Sequence, residues 1–259
     1  MSLLSEQSGS GAIAILAALP GELKPLVMGW QRGESGIWQG YWNEDGWGPR
    51  TATSQSVLAF AAGMGREAAT RGVRALLDYA AQRGELVSTL VSVGWAGALN
   101  AKVHPPKAYA VGEVVDARTG ERFTTGQASG LRLVTLDHVA GISEKQRLSE
   151  SYSASLVDME AATVGRLARL EGLRFLCYKA VSDGVTDHLP DFSRFMSQQG
   201  QLRMPAFLAH VALRPGYWGN LARMGANSKR AALELARLLM THLPLDIRHD
   251  IEQDIEHPS

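Results

Sequence analysis

Apolar and polar positions along the chain switch repeatedly between a strand rhythm and a helix rhythm. Residues 12–19, AIAILAAL, form a continuous apolar run, the pattern of a strand covered on both faces. Pro20-Gly21-Glu22 then turns the chain, and 23–30 has room for one or two helical turns. Residues 38–42 and 57–62 read as strands, with GWGPR between them as a turn. Gly63-Met64-Gly65 opens a helix over 66–83, where Ala69, Val73, Leu76, Leu77 and Ala80 keep the spacing of one buried face. Residues 86–93 are again strand-like and end at a Gly94-Trp95-Ala96-Gly97 turn. Two further strands are expected over 108–116 and 131–136, a helix over 143–150, and a helix over 161–171 with Ala161, Val164, Gly165 and Ala168 on one stripe. Residues 174–181 make the next strand, and beyond Asp191 the pattern is mostly helical.

Strands alternating with helices predict an α/β fold: a mixed, mostly parallel central sheet flanked by helices on both faces, a three-layer αβα arrangement. In such sheets ligands gather beyond the carboxyl ends of the strands. Glu22, Gly63 to Gly65, Gly94 to Gly97, and Ser182-Asp183 each follow a predicted strand.

Composition narrows the class. The 259 residues are 45% hydrophobic and 20% charged, as in ordinary globular proteins. No linker-like stretch divides the chain, so a single domain is expected over 12–243, helical from about 190. A flexible Ser/Gly-rich arm over 1–11 precedes it and an acidic tail over 244–259 follows. The net charge is zero, which offers nothing to a nucleic-acid partner. The single cysteine, Cys177, sits in an apolar run and reads as a buried strand thiol, in keeping with a reducing compartment. The polar start has no signal-peptide pattern, and no window approaches the ~20 apolar residues of a spanning helix. A cytoplasmic protein is the resulting expectation.

Several chemistries lack their motifs. GxGxxG, GxxxxGK[ST] and GxSxG are all absent, and the seven histidines show no metal-ligand spacing. No metal or cofactor is therefore expected. His138 follows a strand and is read as a solvated or core histidine before a pocket one. Gly63-Met64-Gly65 serves either backbone geometry alone or an anion or sugar hydroxyl at a helix start. Gly94 to Gly97 is either a plain tight turn or a place where a ligand approaches the backbone.

The acids are more telling. Asp158, Glu160 and Asp183 lie beside runs that should be buried, and a buried carboxylate is costly unless paired or used. Taken singly, Glu160 is an acid in a first helical turn and Asp183 a cap or turn residue. Together, Asp158-Met159-Glu160-Ala161 and Ala180-Val181-Ser182-Asp183 resemble the marker of the nucleoside phosphorylase and nucleosidase superfamily: an acid-Met-Glu-Ala stretch opening a helix, then a strand ending in Ser-Asp. IAILAALPGEL is similar to the first strand and acidic turn of methylthioadenosine/S-adenosylhomocysteine nucleosidases, and puts Glu22 at their catalytic glutamate. AGMGREAA (62–69) and VSVGWAGAL (91–99) resemble the two glycine-rich turns of that family.

The resemblance implies cleavage of a purine nucleoside at its N-glycosidic bond, with no cofactor. Asp183 would protonate or hydrogen-bond the departing base, a role that needs a raised pKa. Glu22 would position or deprotonate the attacking water. Glu160 would receive ribose hydroxyls, with Met159 on the sugar face and Met64, Gly65, Ala96, Gly97, Asp158 and Ser182 around the substrate. Val139 falls near the place of a base-stacking phenylalanine, so stacking is reduced. Phosphorolytic relatives hold phosphate with an arginine and a serine where this chain has Ser92 and Trp95, which tips the expectation toward hydrolysis, with phosphate as the alternative co-substrate. Hydrolytic relatives carry a small residue at the Trp95 position and an arginine at Lys179. Lys179 or Arg66 remains as an anion or water ligand. A nucleoside-binding protein without catalysis is the other reading of the same scaffold.

Residues 202–239 resemble the C-terminal helices of the hopanoid-biosynthesis-associated branch, which implies an adenosylhopane-like substrate. Between 192 and 243 seven basic residues face one acid, Glu234, with aromatics interspersed. That composition suits peripheral contact with an anionic membrane, although a solvated face with a dimer contact is the plainer reading. Relatives assemble as dimers or larger rings, so a homo-oligomer is expected.

Overall fold

The computed structural model describes residues 11–43, 46–187 and 218–256, the last as a helix whose side chains are described over 225–246. The chain opens with β1 (Ala12–Ala17), wholly buried as its unbroken apolar run requires, and α1 (Pro20–Leu23). An edge of short strands follows, β2 (Gln31–Arg32), β3 (Trp38–Asn43) and β4 (Gly46–Gly48), before β5 (Gln55–Ala61) returns to the centre. Then come α2 (Arg66–Gln82), β6 (Val87–Ala98), β7 (Ala108–Ala110), β8 (Glu113–Asp116), β9 (Arg122–Thr124) and β10 (Arg132–Thr135). The remaining elements are α3 (Ile142–Tyr152), β11 (Leu156–Asp158), α4 (Ala161–Leu170), β12 (Arg174–Asp183) and α5 (Trp218–Glu256).

The described strands make one mixed sheet in the order β2-β3-β5-β1-β6-β11-β10-β8-β9, with β12 joining at β6 and β7, and β4 at β3. Its central pairs β5/β1, β1/β6 and β6/β12 run parallel, as do β11/β10 and β10/β8. Antiparallel pairs lie toward the edges and at the β6/β11 junction. This is the α/β architecture expected from the sequence.

Helices cover both faces. On one, Ala69, Val73 and Leu76 of α2 and Val164 and Ala168 of α4 pack with Leu16, Leu58 and Leu90. On the other, α5 lays Ala231, Leu235, Leu239 and Leu243, each four residues from the last, onto Ile13, Val91 and Leu176. A smaller core under α3 joins Leu148 to Val134, Ala140 and Val157. Gly165 permits the α4 contact, since a Cβ there would lie 2.9 Å from Phe175 Cε1 and 3.0 Å from Phe123 Cβ.

The short strands β2, β4, β9 and β11 are not marked in the sequence pattern, and the helix after β1 is α1, ending at Leu23. Three further elements differ. The run over 108–116 is two strands: β7 pairs with β12 and β8 with β10, and the chain changes partners at Val111-Gly112. Gly112 makes the step, because a Cβ there would collide with Ser129 O at 1.8 Å. Second, β6 does not end at Val93 but runs through Gly94-Trp95-Ala96-Gly97 to Ala98, pairing with β12 and then β11. Third, α5 continues past Leu243 with Pro244 inside it, and Asp246 accepts hydrogen bonds from Tyr178 Oη and from Gln127 Nε2 (3.0 Å). Residues 202–217 of the region resembling the hopanoid-associated branch lie outside the described residues. No helix among the described residues is long and apolar enough to cross a membrane.

Candidate active site

The site lies where the sheet changes partner. β1 pairs with β6 only as far as Leu16 and Ser92, and beyond that the two chains diverge. The turn after β1 places Glu22 in α1, and its side chain reaches into the gap beside Gly94. Oε2 accepts the Leu19 amide at 2.7 Å and Oε1 accepts the Trp95 amide at 2.8 Å. Burial pushes the Glu22 carboxyl above the usual range of a glutamate. The amides of Leu19 and Trp95 and the charge of Lys179 pull against that rise without cancelling it.

Glu160 caps α4 immediately after β11. Its Oε1 accepts the Gly65 amide at 2.6 Å. Burial, with help from the negative charge of Asp158, raises its carboxyl to about 8, against the opposing pull of Lys179 and the Gly65 amide. The Gly63-Met64-Gly65 turn, open to two readings in the sequence, thus spends one amide on a glutamate.

Asp158, two residues earlier, is fully engaged. Oδ1 accepts Thr135 Oγ1 at 2.7 Å, and Oδ2 accepts the Ala161 amide at 2.9 Å and faces Lys179 Nζ at 2.8 Å. Burial opposes the charge of Lys179, but Asp158, Cys177 and Glu160 outweigh it and raise the ammonium's pKa.

Asp183 ends β12. Oδ1 accepts Ser182 Oγ at 2.7 Å, and Oδ2 accepts Lys145 Nζ at 2.5 Å in a salt bridge. Gly97 admits this pair, since a Cβ there would stand 3.0 Å from Asp183 Oδ2.

Glu22, Asp158, Glu160 and Asp183 line one cavity of about 210 Å³. Its walls are otherwise largely apolar, from Met64, Ala96, Val139, Val157 and Met159, with Gly97 and Ser182 completing the set expected from sequence. Three expected residues lie elsewhere. Gly65 stands one hydrogen bond behind Glu160. Lys179 is only 1% exposed and held by Asp158, outside the cavity lining, so it is no ligand for an anion there. Arg66 faces Asp116 at 3.3 Å, together with Arg166, and is likewise outside the lining.

Other residues line the cavity that the sequence had not assigned. Trp95 contributes a wall, its ring 3.2 Å from where a Cβ of Gly21 would be. Ser228 arrives from α5 and is buried. His138, expected to be a solvated or core residue, also lines the cavity, held between Asp137 Oδ1 (2.7 Å) and Glu144 Oε2 (2.9 Å). Hydrogen bonds from its ring to these two carboxylates raise its pKa. Lys145 is 1% exposed. Its signal was present in the sequence: Ile142, Lys145, Leu148 and Tyr152 share the inward stripe of α3, and a lysine at such a position needs a buried partner.

No family model and no curated protein matches this sequence. Among solved structures, the chain is similar to a 5'-methylthioadenosine/S-adenosylhomocysteine nucleosidase from Helicobacter pylori, at TM-score 0.61 and 14% identity over 93% of this chain and 99% of that one. An S-adenosylhomocysteine nucleosidase from Streptococcus pyogenes, in complex with 5-methylthiotubericidin, gives TM-score 0.61 and 16% identity over 92% and 98% of the two chains. Futalosine hydrolase of Helicobacter pylori gives 0.60 and 14% over 89% and 96%. At these identities the likeness is one of fold.

Proposed function

We propose that this protein hydrolyses the N-glycosidic bond of a purine, adenosine-type nucleoside. The observation that carries the reading is the convergence of Glu22, Glu160 and Asp183, from three separate strand ends, on one otherwise apolar cavity. The shared fold with nucleosidases and a futalosine hydrolase supports it. Cleavage develops positive charge on the ribose and negative charge on the base. Glu160 would receive ribose hydroxyls and, once ionised, favour the cationic sugar. Met159 would pack on the sugar. Glu22, held at both oxygens by backbone amides, would orient the attacking water and take its proton. Asp183 and its partners would face the departing base.

Water is favoured over phosphate because Arg66 and Lys179, the cations expected to hold an anion, are paired with Asp116 and Asp158 and do not line the cavity. The resemblance of residues 202–239 to the hopanoid-associated branch supports an apolar, adenosylhopane-like substituent on the ribose. The basic, aromatic-bearing composition of 192–243 supports peripheral membrane contact, and the superfamily resemblance supports a homo-oligomer.

The test is incubation with adenosine, methylthioadenosine and S-adenosylhomocysteine, with and without phosphate, while free adenine is measured. Release without phosphate supports hydrolysis. Strict dependence on phosphate makes the enzyme a phosphorylase. Binding without release from any of the three makes it a nucleoside-binding protein.

A further inference from the structure

Resting on that reading, we propose that Lys145 is a catalytic residue: its ammonium donates the proton that lets the purine base leave, and Asp183 holds it in place. An ammonium has three N–H donors, while an ionised carboxylate only accepts. Lys145 Nζ gives one donor to Asp183 Oδ2 at 2.5 Å and one to Gly184 O at 2.7 Å. Among the described residues it has no third acceptor, and Lys145 lines the cavity. Asp183 accepts on both oxygens, from Ser182 Oγ on Oδ1 and from Lys145 on Oδ2. Its Oδ2 is taken up as the acceptor of that salt bridge. The transferable proton at this end of the cavity belongs to the lysine.

The surroundings fix where that proton points. Lys145 hangs from the inward stripe of α3 and is 1% exposed. Gly97 keeps the space between the two charges open, since a Cβ there would lie 3.0 Å from Asp183 Oδ2 and 3.5 Å from Lys145 Cε. A buried lysine needs a partner, but a partner alone does not require a place on the wall of the cavity that Glu22 and Glu160 also line. In the reaction, the C1'–N bond breaks and its electron pair passes to the base. Lys145 Nζ gives a proton to a ring nitrogen, so the base leaves neutral. The oxygen of water bonds to C1', and the proton that water loses passes to Glu22. Lys145 remains as an amine bound to Asp183. Exchange with solvent returns a proton to the amine and removes one from Glu22.

The test compares two leaving groups. Adenine needs a proton to depart, whereas 4-nitrophenolate departs as an anion. With methylthioadenosine, Lys145→Gln should lower kcat by about 100-fold or more, the scale of general acid catalysis, with KM nearly unchanged. With 4-nitrophenyl β-D-ribofuranoside the same variant should retain most of its rate. Lys145→Arg keeps the charge and the ion pair but cannot release a proton, and should show the same split. It serves if the glutamine variant fails to fold, which a thermal melt reports. Equal losses on both substrates, or undiminished adenine release, would overturn the proposal. Wild-type protein that cleaves neither substrate refutes the hydrolase reading instead. Calorimetric titration with adenine then decides Lys145: weakening by about tenfold in Lys145→Gln, the worth of one hydrogen bond to a charged group, supports the contact. Equal binding, or none to the wild type, removes it.

Discussion

A Cβ on Gly94 would stand 2.8 Å from Oε1 of Glu22, the oxygen that takes the Trp95 amide. Gly94 also has φ +143°, a conformation that side chains disfavour. The glycine is thus the space into which the glutamate is folded. Gly94→Ala should destabilise the protein by about 1–3 kcal/mol through backbone strain alone, and it should displace Glu22. Calorimetric melting should show the lost stability, and adenine release should fall with it. An alanine variant with unchanged melting temperature and turnover would show that Glu22 does not depend on this gap.

Lys179 and Asp158 form a pair buried under the cavity floor at 2.8 Å. Removing the lysine leaves a carboxylate that only Thr135 and the Ala161 amide still satisfy. Lys179→Met should therefore cost about 3–5 kcal/mol, the usual penalty for breaking a buried ion pair. Adding Asp158→Asn should restore part of it, so the double variant falls short of the sum of the single losses. Urea denaturation of the four proteins measures this, and strict additivity would contradict the pairing.

Glu160 gives a pH dependence whose sign can be worked out. Its carboxyl rises from 4.5 to about 8 on folding. The folded state therefore holds a proton that the unfolded chain has released. That advantage is complete below about pH 4.5, declines as pH rises toward about 8 and is gone above it. Glu22, raised in the same direction, adds to the trend. Glu160→Gln mimics the protonated form permanently. The melting temperature of the wild type relative to this variant should fall between about pH 5 and about pH 8. A difference that stays flat, or grows with pH, would place the proton elsewhere.

Cys177 is fully buried in β12, and burial pushes its thiol up to about 12. The folded protein should not react with iodoacetamide at neutral pH, because the thiolate is the nucleophile. Full labelling should appear only in denaturant. Mass spectrometry before and after unfolding distinguishes the two, and rapid labelling of the native protein would mean that β12 opens.

Much of the scaffold was legible along the chain. Period carries information about which face an element buries, so the apolar run of β1, the stripe of α4 and the strand-helix alternation all pointed to the α/β sheet. Period is silent about partners. The run over 108–116 keeps one rhythm while the chain passes from β12 to β10, and Gly94 to Gly97 looks like a turn although β6 continues through it. A glycine beside an acid ninety-five residues away, as Gly65 is to Glu160, leaves no local mark.

The strand-end positions of Glu22 and Asp183 and the helix start at Glu160 follow from the sequence alone, because hydrophobic patterning and turn chemistry are local. Which charge meets which carboxylate was settled only by folding. Lys179 looks available in the sequence and is held by Asp158, while Lys145, an unremarked residue of a short helix, stands at 2.5 Å from Asp183. Electrostatic pairing depends on distances through space and on burial, and both come into being only when α3, β11 and β12 pack together.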